Sequence, residues 1–63
     1  MKELLHDVIK AAYPEVTHYL DFTEGDFLCY QRFIVHGDIF IAEMTKSAHS
    51  VNFYALRRVE ELR

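Results

Sequence analysis

The ten residues 27–36, FLCYQRFIVH, constrain the fold of this chain more than any other stretch. They are rich in β-branched and aromatic side chains, as strands are. Turn sequences bound them on both sides, at residues 23–26 (TEGD) and 37–38 (GD), and the segments beyond each turn also alternate in polarity. The pattern predicts that residues 27–36 form the central strand of a small antiparallel sheet.

The short chain limits how much core the protein can build for itself. A domain of 63 residues buries only about 60% of the surface that its unfolded chain exposes, so its own core gives marginal stability. Cys29 is the single cysteine, which excludes a disulfide within the chain, and no Cys/His group has zinc-ligand spacing. We therefore expect one domain over residues 1–63 that gains stability by burial against another chain.

Charge and hydropathy exclude several classes of protein. The start, MKELLHDVIKAA, has no continuous apolar core, so it predicts neither a secretory signal nor a membrane span, and we expect a cytoplasmic location. Residues 1–26 hold two basic and six acidic side chains, whereas residues 48–63 hold three arginines and two glutamates. A phosphate-binding surface is therefore disfavoured in the first part of the chain.

Two segments have the periodicity of helices. In Lys2–Ala12 an apolar stripe recurs at helical spacing, and Pro14 should end that helix. Residues 48–62 repeat the pattern with the stripe Val51, Ala55, Val59 and Leu62. The predicted fold is α+β, in the order helix, three-stranded antiparallel β-meander, helix (αβββα), with both helices packed on one face of the sheet.

The two turns predict the register of the strands. A type II′ loop at residues 37–38 places Ile34 opposite Ile41 and Arg32 opposite Glu43. A first loop that closes Phe22 onto Phe27 places Tyr19 opposite Tyr30 and His18 opposite Gln31. A three-residue first loop with a glycine bulge would instead place Phe22 opposite Asp26, and the two loops would then disagree about the faces.

This register assigns each strand residue to one of two faces. The inward face, which also holds the polar pair His18 and Gln31, has the following apolar residues: Val16, Leu20, Phe22, Phe27, Cys29, Phe33, Val35, Phe40, Ala42 and Met44. The outward face holds Thr17, Tyr19, Asp21, Leu28, Tyr30, Arg32, Ile34, His36, Ile39, Ile41, Glu43 and Thr45. Alternation across a strand is the basis of both sets.

No group of residues predicts catalysis or a cofactor. The four histidines, His6, His18, His36 and His49, lie on four different segments without shared ligand spacing, so we expect no metal. Cys29 is predicted to be a buried structural thiol. We interpret His18 and Gln31 as a hydrogen-bonded pair at the margin of the core, and a small-ligand or metal site around them stays open as an alternative.

The predicted order of elements resembles the topology of the double-stranded RNA-binding domain over nearly the whole chain. That family grips phosphates with lysines at the start of its last helix. The matching positions here are Ala48, His49 and Asn52, with Lys46 nearby, so the resemblance is one of topology. Duplex RNA binding remains the alternative function, with Lys46, His49, Arg57 and Arg58 as its contacts.

The outward face is too apolar for a sheet surface that meets only water. Tyrosine and arginine among aliphatic residues are typical of interface centres. We therefore predict a non-enzymatic protein-interaction module that associates through this face, with a second copy as a homodimer or with another protein. The predicted interface is Tyr19, Leu28, Tyr30, Arg32, Ile34, Ile39, Ile41 and Glu43.

Two further interpretations concern this face. A small, acidic, cysteine-poor chain is similar in profile to the inhibitors with which phages and mobile elements occlude host proteins, and such an inhibitor is one form of the predicted function. Alternatively, the face has no partner, because its long side chains cover one another or because a chain end partly covers it.

Overall fold

The computed structural model describes residues 1–58 as one helix followed by a four-stranded antiparallel sheet. The helix α1 is Lys2–Ala12, and the strands are β1 (Val16–Glu24), β2 (Leu28–Val35), β3 (Asp38–Thr45) and β4 (Val51–Arg58). The strands neighbour one another in chain order, β1-β2-β3-β4. Helix α1 packs on one face of the sheet, here called the helix face, and the opposite face is called the outer face.

Helix α1 forms where its apolar stripe predicts it. Leu5 and Ile9, one turn apart, are both fully buried against the sheet. The helix ends before Pro14, because a proline forces the preceding residue out of the helical region. Tyr13 accordingly has an extended backbone, and its N–H donates to the carbonyl of Ile9 at 2.7 Å.

The predicted αβββα order is wrong, because residues 51–58 form a fourth strand instead of a second helix. Val51, Phe53 and Ala55 lie opposite Met44, Ala42 and Phe40 of β3. These residues alternate with Asn52, Tyr54 and Leu56 along the chain, as side chains on opposite faces of a strand do. The β-branched and aromatic residues of the segment also favour a strand. The part of the predicted helix beyond residue 58 lies outside the described residues.

The β2–β3 hairpin turns one residue earlier than predicted. His36 and Gly37 form its loop with φ of 52° and 81°, the left-handed pair of a type I′ turn. The register moves by one residue on each strand, so Ile34 lies opposite Ile39 and Arg32 opposite Ile41. The predicted pairs Ile34–Ile41 and Arg32–Glu43 are therefore wrong. A shift of one residue on both strands leaves every side chain on its predicted face.

Strand β1 departs further from prediction because it contains two irregularities, between Val16 and His18 and between Tyr19 and Phe22. They place His18 opposite Ile34 and Phe22 opposite Gln31, so the predicted pairs His18–Gln31 and Tyr19–Tyr30 are wrong. Each extra residue changes the face of those that follow it.

The first hairpin also corrects one core prediction. Glu24 lies opposite Cys29, and the N–H of Gly25 donates to the carbonyl of Leu28 at 2.8 Å. Phe27 therefore lies at the tip of this hairpin, where it is 82% exposed instead of buried.

The core lies between helix α1 and the helix face. Its buried members are Leu5, Ile9, Cys29, Phe33, Val35, Ala42 and Met44. Four aromatic rings pack at its centre: Phe33 lies 5.6 Å from Tyr13, 5.6 Å from Phe40 and 6.2 Å from Phe53, measured between ring centroids. Strand β4 thus supplies, through Phe53, a part of the core that we had expected from a second helix.

Candidate protein-interaction surface

The outer face carries an apolar strip across its two central strands. Ile34 lies opposite Ile39 on these strands, and Ile41 lies opposite Tyr54 of β4. Ile39 is only 6% exposed although it is not part of the core cluster. The predicted interface residues other than Tyr19 therefore lie together on this face: Leu28, Tyr30, Arg32, Ile34, Ile39, Ile41 and Glu43.

Strand β4 extends this strip with Tyr54, a residue that the sequence pattern had assigned to a helix. Tyr54 is 48% exposed and lies directly opposite Ile41. Leu56 is 37% exposed and lies within the irregularity of β4, so the period of two does not assign it to a face. The alternation of residues 51–55, VNFYA, predicts the outward position of Tyr54, because every second side chain is apolar and faces inward.

Tyr19 is the one predicted interface residue that lies elsewhere. Its ring stacks on that of His6 in helix α1, with centroids 3.8 Å apart and planes 8° from parallel. Its hydroxyl donates to the carbonyl of His6 at 3.4 Å. The irregularity after Val16 turns Tyr19 to the helix face, so its assignment to the outward face is wrong.

Polar side chains flank the apolar strip. The guanidinium of Arg32 forms an ion pair with Asp21 of β1 at 2.9 Å between Nη2 and Oδ2. On the other side, the hydroxyl of Tyr54 donates to Glu43 Oε1 at 3.3 Å. The negative charge of Glu43 raises the pKa of Tyr54 above its ordinary value, because it disfavours a phenolate. Arg32 and Glu43 thus each pair with an edge strand instead of with each other.

The helix face contains one fully buried polar side chain, Gln31. Its amide nitrogen donates to the carbonyls of Leu20, Asp21 and Arg32 at 3.0, 3.2 and 2.8 Å. Since the amide nitrogen is the donor in these bonds, the oxygen is left to accept from Nε2 of His6 at 2.8 Å. Gln31 therefore satisfies the carbonyls that the β1 irregularity takes out of the ladder, which is a structural role.

A small-ligand or metal site at His18 and Gln31 has no geometric basis. His18 is exposed and its Nδ1 lies 3.1 Å from Thr17 Oγ1, whereas Gln31 is buried. Within residues 1–58 there is no pocket and no group of three metal-ligating side chains. Cys29 is buried, and its burial raises the pKa of the thiol above its ordinary value.

The proposed RNA contacts are not arranged as the resemblance implied. Residues 46–50 form a loop between β3 and β4, so the start of a last helix is replaced by a turn and the RNA-binding topology is absent from residues 1–58. Lys46 pairs with Glu24 at 2.8 Å and donates to the carbonyl of Gly25 at 3.1 Å. The hydrogen bond and charge of Lys46 hold the pKa of Glu24 below its ordinary value.

Comparison with protein-family models, with curated proteins and with solved structures finds no match to this chain. Within residues 1–58, no helix has the length and apolar character needed to cross a membrane.

Proposed function

We propose that this protein is a non-enzymatic interaction module that docks on another protein through its outer face. The observation that carries the proposal is the apolar strip on that face. In residues 1–58 the single helix packs on the opposite side, so no element covers the strip.

The burial of individual residues supports this proposal. The helix face is occupied by the core, because helix α1 packs on it and Phe33, Ala42 and Met44 are fully buried there. On the outer face, Ile34 and Ile41 remain half-buried, and the edge residue Tyr54 is 48% exposed. A sheet face that served only to meet water would carry polar residues at these positions. Apart from Ile39, these residues of the strip keep part of their surface accessible.

The charges around the strip favour a partner of particular chemistry. The Asp21 side chain is 76% exposed despite its ion pair with Arg32, and Glu43 flanks the strip on the other side. The chain as a whole has a formal charge of −3. We therefore expect a target surface with an apolar centre and a basic rim, since complementary potentials favour encounter and register. Occlusion of a host protein, the inhibitor role, is the specific form suggested by the sequence profile.

The test introduces a charge at the centre of the strip. Ile41→Glu places a carboxylate on a strip that a bound target would cover, opposite Tyr54 and opposite Arg32, whose guanidinium is already paired with Asp21. Burial of that added charge under a target is unfavourable, because its desolvation opposes binding. The matched control is Leu4→Glu, on helix α1, because Leu4 is also apolar and 40% exposed. A target is identified by mass spectrometry after capture with the tagged parent, and its affinity for each purified variant is measured by calorimetry.

We expect Ile41→Glu to weaken binding at least tenfold, and Leu4→Glu to bind like the parent. Circular dichroism confirms that each variant is folded. A milder variant, Tyr54→Ser, removes an exposed ring from the same face and should weaken binding in the same direction. Unchanged affinity in folded Ile41→Glu and Tyr54→Ser would refute the proposal.

A further inference from the structure

Within residues 1–58, strand β4 has an edge that no other strand covers, and the register identifies the backbone groups that point outward along it. In the described part of the chain, β4 is the last strand of the sheet and pairs with β3 on one side. The N–H of Thr45 donates to the carbonyl of Ser50 at 2.9 Å, and the N–H of Ser50 donates to Oγ1 of Thr45 at 3.1 Å, so these two residues occupy the position of a hydrogen-bonded pair at the end of the ladder. Such pairs alternate along an antiparallel ladder, so the next ones involve Asn52 and Tyr54. The amide and carbonyl groups of Val51, Phe53 and Ala55 therefore point away from β3.

The two edges of the sheet differ in how far they resist pairing. Strand β1 is interrupted by two irregularities and carries charged residues, Asp21 and Glu24, along its length. Residues 51–56 of β4, VNFYAL, contain no charge, proline or glycine, and the one irregularity of β4 follows Ala55. A regular, apolar edge is the kind that pairs with another strand.

We propose that β4 pairs with β4 of a second copy, in antiparallel orientation about a two-fold axis at Phe53. This centre uses all three outward-facing residues, because Phe53 then exchanges hydrogen bonds with its own counterpart and Val51 does so with Ala55. Asn52 and Tyr54 face each other on the outer face. Every opposing pair is apolar or neutral, so the contact brings no like charges together, and the strand complements itself as a two-fold interface requires.

This inference goes beyond the proposed function, since it concerns the edge of the sheet and not its outer face. The pairing would join two sheets into one of eight strands and set two outer faces side by side. It would also supply the burial between chains that a 63-residue domain needs.

The test is sedimentation equilibrium of the parent and of Ala55→Pro over a range of concentrations from 1 µM to 1 mM. Proline removes the outward N–H of Ala55 without removing a bond to β3, so the variant should fold as a monomer whereas the parent should reach the dimer mass. Ile41→Glu is the control and should remain dimeric, because Ile41 lies on the next strand. Loss of target binding by Ile41→Glu with retained dimer mass would separate the two proposals.

A second variant covers the case in which Ala55→Pro does not fold. Ala55→Lys keeps the amide but places an ammonium against Val51 of the other copy, and it should also shift the mass to that of a monomer. In the parent, isotope-filtered spectra of a mixed labelled and unlabelled sample should show contacts between the Phe53 rings of the two copies. A parent that stays monomeric at 1 mM, or a folded Ala55→Lys that stays dimeric, would overturn the inference.

Discussion

At the scale of single residues, Gln31 is a buried polar group that bonds to the irregular part of the β1 backbone. It is fully buried, yet its amide group bonds to three carbonyls and to His6. A buried polar group is tolerated only when it is hydrogen-bonded. The irregularity in β1 and the position of His6 on helix α1 together meet that requirement.

Replacement of Gln31 by leucine, a side chain of similar size, should therefore lower the free energy of unfolding more than the size of the two side chains suggests. Gln31→Leu leaves the carbonyls of Leu20 and Asp21 without this donor in a buried site, and we expect a loss of about 1–3 kcal/mol in the free energy of unfolding. The control is Thr17→Val, which removes an exposed hydrogen bond to the carbonyl of Ile34 and should cost less than about 0.5 kcal/mol. Urea unfolding measures both, and equal losses would contradict the structural role of Gln31.

The sequence predicted the inward position of Gln31 but not its partner. Alternation along β2 is regular, so the burial of Cys29, Gln31 and Phe33 could be predicted from polarity alone. The irregularities of β1 could not be predicted from polarity, because they occur where a side chain from another strand, Gln31, bonds to the backbone of β1. They place His18 opposite Ile34, where it is exposed, and the partner of Gln31 is His6 of helix α1 instead.

At the scale of elements, the β2–β3 hairpin depends on one glycine. Gly37 has a φ of 81°, a conformation that L side chains rarely adopt, although an added Cβ would meet nothing within 4 Å. Gly37→Ala should therefore lower the free energy of unfolding by about 1–2 kcal/mol through backbone strain alone. Gly25→Ala is the control, because Gly25 has no such φ and its Cβ would make an ordinary contact with the Leu28 carbonyl. Thermal melting compares the two, and a Gly37→Ala variant as stable as Gly25→Ala would show that the loop is not of this type.

Strand β4 is the element that sequence reasoning assigned to the wrong class. Val51 and Ala55 are four residues apart, which suits the stripe of a helix as well as one face of a strand. Short apolar segments cannot be distinguished by periodicity alone. The choice depends on a partner, and here the open side of β3 offers Ala42 and Met44 as neighbours for Phe53 and Val51. The helix and the three-stranded meander, by contrast, are predicted by local signals alone.

At the scale of the whole molecule, the fourth strand leaves two surfaces for association. A second helix on the core face would have left the β3 edge open, whereas β4 covers that edge, widens the outer face and presents a regular edge of its own. The apolar outer face was predicted from the sequence with all its central residues on β2 and β3. Its extension to Tyr54, and the edge of β4 that no other strand of residues 1–58 covers, could be seen only in the structure of the sheet.

The free edge of β4 and the extension of the outer face to Tyr54 both depend on residues 51–58 being a strand. The most direct measurement is therefore a nuclear Overhauser spectrum of the labelled protein. In the pairs that do not exchange hydrogen bonds, Cα atoms lie about 4.5 Å apart and their protons point at each other. The structure predicts strong Hα–Hα contacts between Ala42 and Phe53 and between Met44 and Val51. Sequential amide–amide contacts through residues 51–58, without contacts to β3, would show a helix and contradict the account.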